Sequence, residues 1–146
     1  EVRSVGMNYR LPDLNAALGT SQLAKLPGWI ARRNELADTY RRELDGLPLT
    51  LPPAAPEGVV HGYHLFAIQV AERAQVFAGL QAAGIGVQVH YVPIHHHPVY
   101  ADLDFGPDDL PATEAAYAGL ISLPLHPGLT DAEVAHVIAT LGELLG

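Results

Sequence analysis

The sequence predicts an α+β domain in which helices pack on a small sheet. Its 146 residues are a one-domain length, and 49 % are apolar, enough to build a core. Helical periodicity marks five stretches and extended patterning marks three. They follow one another as α-α-β-α-β-loop-α-β-α, with no internal repeat.

Leu11 to about Lys25 is the first helix. Pro12 suits the first helical position, where its missing N–H costs nothing, and Asp13 then favours the helix dipole. Leu14, Ala17, Leu18 and Ser21 form its packing stripe. Pro27 opens a second helix to about Leu44, with Trp29, Leu36, Ala37, Tyr40 and Leu44 on one face and Arg32, Arg33, Arg41 and Arg42 among acids on a solvated face. Pro52 to Pro56 is a stiff connector. His61 to Val70 is a strand with His64, Phe66, Ile68 and Val70 pointing one way, and both its faces are apolar enough to predict burial on both. Arg73 to Ala83 is a helix stopped by Gly84, which accepts the left-handed conformation. Ile85 to Tyr91 is the next strand. Residues 93–111 form a long loop with a turn of helix near Tyr100, and long loops on small domains are often functional. Ala112 to Leu120 is helical, Ser122 to Leu125 extended, and Thr130 to Leu145 the last helix, opened by the capping box Thr130-Asp131-Ala132-Glu133.

Composition excludes several classes. Sixteen acids against eight bases give a net charge of −8, opposite to a nucleic-acid footprint. There is no cysteine, hence neither a disulfide framework nor thiolate chemistry. No apolar run approaches the roughly 18 residues of a membrane span, and the first residues lack a signal-peptide shape, so a cytoplasmic location without membrane contact is expected. Charged residues make up only 16 %, which leaves surface suited to a partner. The single lysine is Lys25.

Two clusters carry candidate chemistry. His90, His95, His96 and His97 fall within eight residues. In extended chain His95 and His97 could converge while His96 could not, and no acid is interleaved, so no metal site is expected and the loop is better suited to an anionic ligand or solvent. Asn8-Tyr9-Arg10 places an amide, a phenol and a guanidinium just ahead of a helix N-terminus, a phosphate-contact arrangement that also fits ordinary turn and capping roles. Gly84-Ile85-Gly86 follows a helix and opens a strand, the reverse of a dinucleotide loop.

Four blocks in order resemble the DegT/StrS family of pyridoxal-phosphate (PLP) dependent nucleotide-sugar aminotransferases. They are Gly6-Met7-Asn8-Tyr9-Arg10 running through Ala16-Ala17-Leu18-Gly19 to Gln22-Leu23; Tyr63-His64-Leu65-Phe66; Gly84 to His95 with Pro98 and Tyr100; and Leu123-Pro124-Leu125-His126-Pro127-Gly128-Leu129-Thr130. The third block, with Gln88 before Val89-His90-Tyr91, looks most like transaminases that make UDP-4-amino-4,6-dideoxy-N-acetyl-β-L-altrosamine.

The resemblance implies the C-terminal small domain of a fold-type I aminotransferase. Residues 1–45 would be interface helices and residues 46–146 an α+β subdomain. The N-terminal domain that carries PLP and its lysine would be a partner, as would a second subunit in a homodimer. The substrates would be a 4-keto nucleotide-sugar and an amino donor such as glutamate, in glycan sugar biosynthesis. By the same resemblance Asn8 reaches the PLP phosphate of the neighbouring subunit, with Tyr9 and Arg10 shaping that site, while His90, Tyr91 and His95 lie near the nucleotide-sugar. Pro12 stands where the family often has Ser or Thr. No residue here matches the Schiff-base lysine, since Lys25 belongs to another motif, so the chain alone is expected to be inactive. The competing reading is a non-catalytic interaction domain, or an anion- or metal-binding one, built on the His90–His97 loop.

Overall fold

The computed structural model describes residues 9–100, 102 and 106–146. Among the described residues, five α-helices accompany a three-stranded sheet: α1 (Asp13–Leu23), α2 (Leu26–Glu43), β1 (Leu49–Thr50), β2 (Phe66–Val70), α3 (Arg73–Ala82), α4 (Pro111–Gly119), β3 (Leu120–Leu123) and α5 (Asp131–Leu145). The sheet is antiparallel in the order β1-β2-β3, so β2 is central. The predicted α+β class is the one found.

The register follows from the side chains that must leave water. Phe66 opposes Leu123 and Ile68 opposes Ile121. These four, with Val70, are buried against Leu36, Tyr40 and Leu44 of α2, Val76 and Leu80 of α3, and Val134, Val137 and Leu141 of α5. Tyr40 lies deepest. Its ring sits 5.2 Å from that of Phe66, and its hydroxyl donates to the Pro124 carbonyl at 3.0 Å. Burial pushes the Tyr40 phenol well above its usual range, so it stays a donor.

Helix ends obey their signals. Gly84 has φ +77° beyond α3, with Ile85 N–H donating to the Leu80 carbonyl and Gly84 N–H to that of Gln81, both at 3.0 Å. At α5, Thr130 Oγ1 accepts from the Glu133 N–H while Glu133 Oε2 accepts from the Thr130 N–H.

The structure departs from expectation in six places. Pro12 is the N-cap of α1, extended at ψ 148°, and the helix begins at Asp13. The stripe of α1 buries nothing: Leu14 is 82 % and Leu18 60 % exposed. The strand predicted over 61–70 begins only at Phe66, because Tyr63 takes φ 40° and its N–H turns back onto His61 Nδ1. It is Tyr63, not His64, that goes inward, and Gln69 faces out, so β2 is covered fully on one side only. The strand predicted over 85–91 shrinks to one bridge, Gln88 to Ser122, although Ile85 and Val87 are buried in alternation as a strand would have them. Finally, two of the four arginines of α2 are ties between elements, while Arg42 stays on the solvated face beside Glu43. Arg32 donates to the Leu129 carbonyl (3.0 Å) and to Asp131 (2.7 Å), which fixes α2 to the start of α5. Arg41 donates to the carbonyls of Pro52 and Pro53 and to the Tyr63 hydroxyl, which holds down the proline connector.

Replacing Tyr40 by Phe keeps the ring but leaves the Pro124 carbonyl without its donor. The loss should be about 1 kcal/mol, whereas Tyr40→Ala should cost roughly 3–5 kcal/mol through the cavity it opens. Urea unfolding of the two variants tests the order; an unchanged midpoint for Tyr40→Phe would show that the hydroxyl contributes nothing.

Candidate functional site

The residues singled out from sequence fall in two regions. In the first, Asn8 lies outside the described residues. Tyr9 and Arg10 are exposed just before α1. No side chain caps that helix, so the backbone N–H groups of its first turn are presented beside the Tyr9-Arg10 approach.

The second region begins where the Gln88 bridge ends. His90 Nδ1 meets Ser122 Oγ at 2.9 Å, and Ser122 is buried in β3, so the sheet fixes this ring. Tyr91 stands edge-on to His90, with ring centroids 4.7 Å apart, and is 70 % exposed. The two form one wall of an open cleft of about 390 Å³ completed by Pro93, Thr113, Tyr117 and Leu120. α4 supplies the opposite wall. It is held from behind by Arg73, which donates to the Tyr117 carbonyl and lies 4.7 Å over the Tyr117 ring. The structure therefore brings His90 and Tyr91 together as a fixed ring beside an exposed one.

His95 goes elsewhere. Residues 94–96 form a single 3-10 turn, closed by His96 N–H to the Pro93 carbonyl and His97 N–H to the Ile94 carbonyl. This curl makes adjacent side chains converge: His95 Nε2 and His96 Nε2 both meet Glu114 Oε1, at 2.5 and 2.7 Å. The pairing of His95 with His97 that an extended chain would give does not occur. The acid is not interleaved in the loop but comes from the first turn of α4, 18 and 19 residues farther on. Sequence reasoning missed Glu114 because only the fold carries it there; its place in the first turn of a helix following the histidine loop was the available signal. The His95 side chain is 3 % exposed, and those of Glu114 and His96 are near 30 %. The hydrogen bond from His95, and then that from His96, hold the Glu114 carboxyl below its ordinary range against the opposing effect of burial. Larger hollows of about 510 and 530 Å³, beside β1 and between α2 and α5, contain none of the predicted residues.

This arrangement of helices on a small antiparallel sheet is part of an aminotransferase fold. The structure of S. venezuelae DesV matches 97 % of the chain with a TM-score of 0.90 and 35 % identity, and Spr1654 from Streptococcus pneumoniae in its PLP form matches 92 % with a TM-score of 0.85 and 30 % identity. Residues 1–142 match the DegT/DnrJ/EryC1/StrS aminotransferase family, and the chain belongs to it. Among curated relatives, the dTDP-4-dehydro-2,3,6-trideoxy-D-glucose 4-aminotransferase of Saccharopolyspora spinosa is 40 % identical over 137 residues, 91 % of this chain. The chain spans only 38 % of DesV, 36 % of Spr1654 and 34 % of the S. spinosa enzyme. Among the described residues no helix is long and apolar enough to cross a membrane.

Because its folded-state pKa is depressed, Glu114 contributes stability above the ordinary glutamate range and loses it as pH falls through the depressed value. In a carboxyl NMR titration Glu114 should have a midpoint below that of a free glutamate. The midpoint should return toward the ordinary range in His95→Ala. A wild-type midpoint at or above the ordinary value would contradict the contact.

Proposed function

We propose that this chain is the C-terminal portion of a PLP-dependent transaminase that aminates a 4-keto nucleotide-sugar with an amino acid donor such as glutamate, in the making of glycan sugars. The match of residues 1–142 to the family, which includes the Asn8-Tyr9-Arg10 motif, carries this reading. The donor set agrees with a phosphate group. Asn8 offers a neutral amide N–H₂, Arg10 a permanent cation, and α1 an uncapped N-terminus, all of which favour an anion. PLP, when bound, supplies the electron sink for amino transfer.

In this reading Asn8 donates to the cofactor phosphate of a neighbouring subunit, and Tyr9 and Arg10 shape the same site. His90, with its ring fixed on Ser122, and Tyr91, exposed beside it, contact the nucleotide-sugar in the cleft against α4. His95, with its ring on Glu114, lies near the same nucleotide-sugar and positions the loop that bears them. The exposed leucine stripe of α1 lies against the partner subunit or the PLP domain, and residues 1–45 serve as interface helices beside the subdomain of residues 46–146. By itself the chain is inactive in this reading: its single lysine, Lys25, lies 5.9 Å over the Trp29 ring between α1 and α2 and belongs to no cofactor motif.

Mixed dimers test the role of Asn8. In the full-length enzyme, Asn8→Ala is placed either in the subunit that keeps the cofactor lysine or in the one that lacks it, and both mixed dimers are compared with a control that carries wild-type Asn8 throughout. A hydrogen bond to a charged acceptor contributes roughly 1.5–3 kcal/mol. The arrangement that sets the surviving lysine opposite the altered residue should therefore need about ten- to a hundredfold more PLP. Equal PLP requirements in all dimers would end the trans assignment.

The substrate is narrowed further by the block from Gln88 to His95, which resembles the altrosamine-forming transaminases and favours a UDP-linked 4-keto sugar. The S. spinosa relative is named for a dTDP-linked one. Competition between the two nucleotides should show the UDP-sugar aminated with the higher kcat/KM; the opposite preference would move the protein to the dTDP branch.

A further inference from the structure

We propose that His95, His96 and Glu114 form a binding site for a divalent transition-metal cation, of which Zn²⁺ is the type, with water completing the coordination. The geometry is the first ground. Two imidazole nitrogens and one carboxylate oxygen, from two different elements, lie within 4.8 Å of one another. The two rings stand at 87° with centroids 4.6 Å apart, so their Nε2 atoms approach one point from different directions. A tetrahedral ion about 2.0–2.1 Å from each ligand holds them roughly 3.3 Å apart. The contacts of 2.5 and 2.7 Å from the two nitrogens to Glu114 Oε1 would open by less than 1 Å to admit it, and the two nitrogens, within 4.8 Å of each other, would settle about 3.3 Å apart.

The chemistry of the donors is the second ground. Two imidazoles and one carboxylate are a ligand set used by catalytic zinc sites, which keep the fourth position for water. Imidazole selects zinc, nickel, cobalt and copper over magnesium and calcium, which prefer all-oxygen shells. Glu114 offers a carboxylate oxygen, and each neutral imidazole presents a lone pair at Nε2 once its proton sits on Nδ1. Any proton held by a charged ring passes to water on binding, so no other reactant is needed.

The surroundings are the third. His95 is sheltered, while His96 and Glu114 are about a third open, which leaves a path for ion and water from one side. The His96 ring is braced edge-on by Tyr117, 5.7 Å away, and Tyr117 is in turn braced by Arg73. The ligands are therefore held on supported elements. An ion here would staple the loop after His90 and Tyr91 to α4.

This inference is independent of the transaminase reading, and its test uses neither PLP nor activity. Full-length protein is freed of metal with a chelator and dialysed to equilibrium against Zn²⁺ or Mg²⁺. One Zn²⁺ per chain should bind, and no Mg²⁺. Glu114→Gln and His96→Asn should each weaken Zn²⁺ at least about tenfold, whereas His97→Ala, which removes an adjacent exposed histidine outside the cluster, should leave it unchanged. Circular dichroism confirms that the variants fold, and either of the two ligand variants suffices if the other does not. Absence of stoichiometric Zn²⁺ binding would overturn the proposal and reduce the cluster to a hydrogen-bonded clip. So would binding that is indifferent to Glu114→Gln and His96→Asn, or equally weakened by His97→Ala.

Discussion

The Tyr40 hydroxyl is the constraint on which the rest of this structure is set. A phenol in the middle of a hydrophobic core must find an acceptor, since an unpaired buried donor costs more than the bond contributes when made. Its acceptor is the Pro124 carbonyl, one residue past β3. That bond sets how far α2 lies from the end of β3, and the Phe66 ring against the same tyrosine sets where β2 passes beneath. With β2 and β3 placed, Ser122 falls on the side of the sheet away from that core and receives both the Gln88 backbone and the His90 ring. The candidate site is thus reached from the core in a short sequence of contacts, one aromatic and the others hydrogen bonds of polar groups that needed a partner.

Polar side chains also decide how the peripheral pieces attach. Arg32 and Arg41 sit on the polar side of α2, yet each spends its donors on carbonyls of distant segments. A guanidinium suits this work because its donors are fixed in a plane and its charge is permanent. Arg73 does the same for α4, and so determines where the wall of the cleft opposite Tyr91 stands.

The helices were legible in the sequence because their signals are local: the 3.6 period, the capping box at Thr130, the glycine after α3. The extended segments were legible only in part. The alternation of Ile85 and Val87 correctly marked which side chains go inward, but a strand also needs a neighbour in register, and after Gln88 the chain turns its side chains to Ser122 and the cleft instead. Likewise, nothing near Tyr63 announces the positive φ that shortens β2; the Arg41 bond to its hydroxyl comes from another element. Of the site, His90 and Tyr91 could be picked out by neighbourhood and by resemblance. The partnership of His95, His96 and Glu114 could not, because a single 3-10 turn reversed the alternation on which the pairing of His95 with His97 depended.

An α-helix of 11 residues is too short to be stable on its own merits in water, where nucleation is costly and length is the main compensation. α1 is such a helix, and its leucines gain nothing from this chain's own core. Its folding free energy must then be drawn mostly from whatever surface those leucines meet. If α1 meets a partner surface as proposed, the segment that carries Tyr9 and Arg10 would become ordered as a consequence of that contact, and the readiness of the proposed site to take an anion would report on assembly rather than on the folding of this chain.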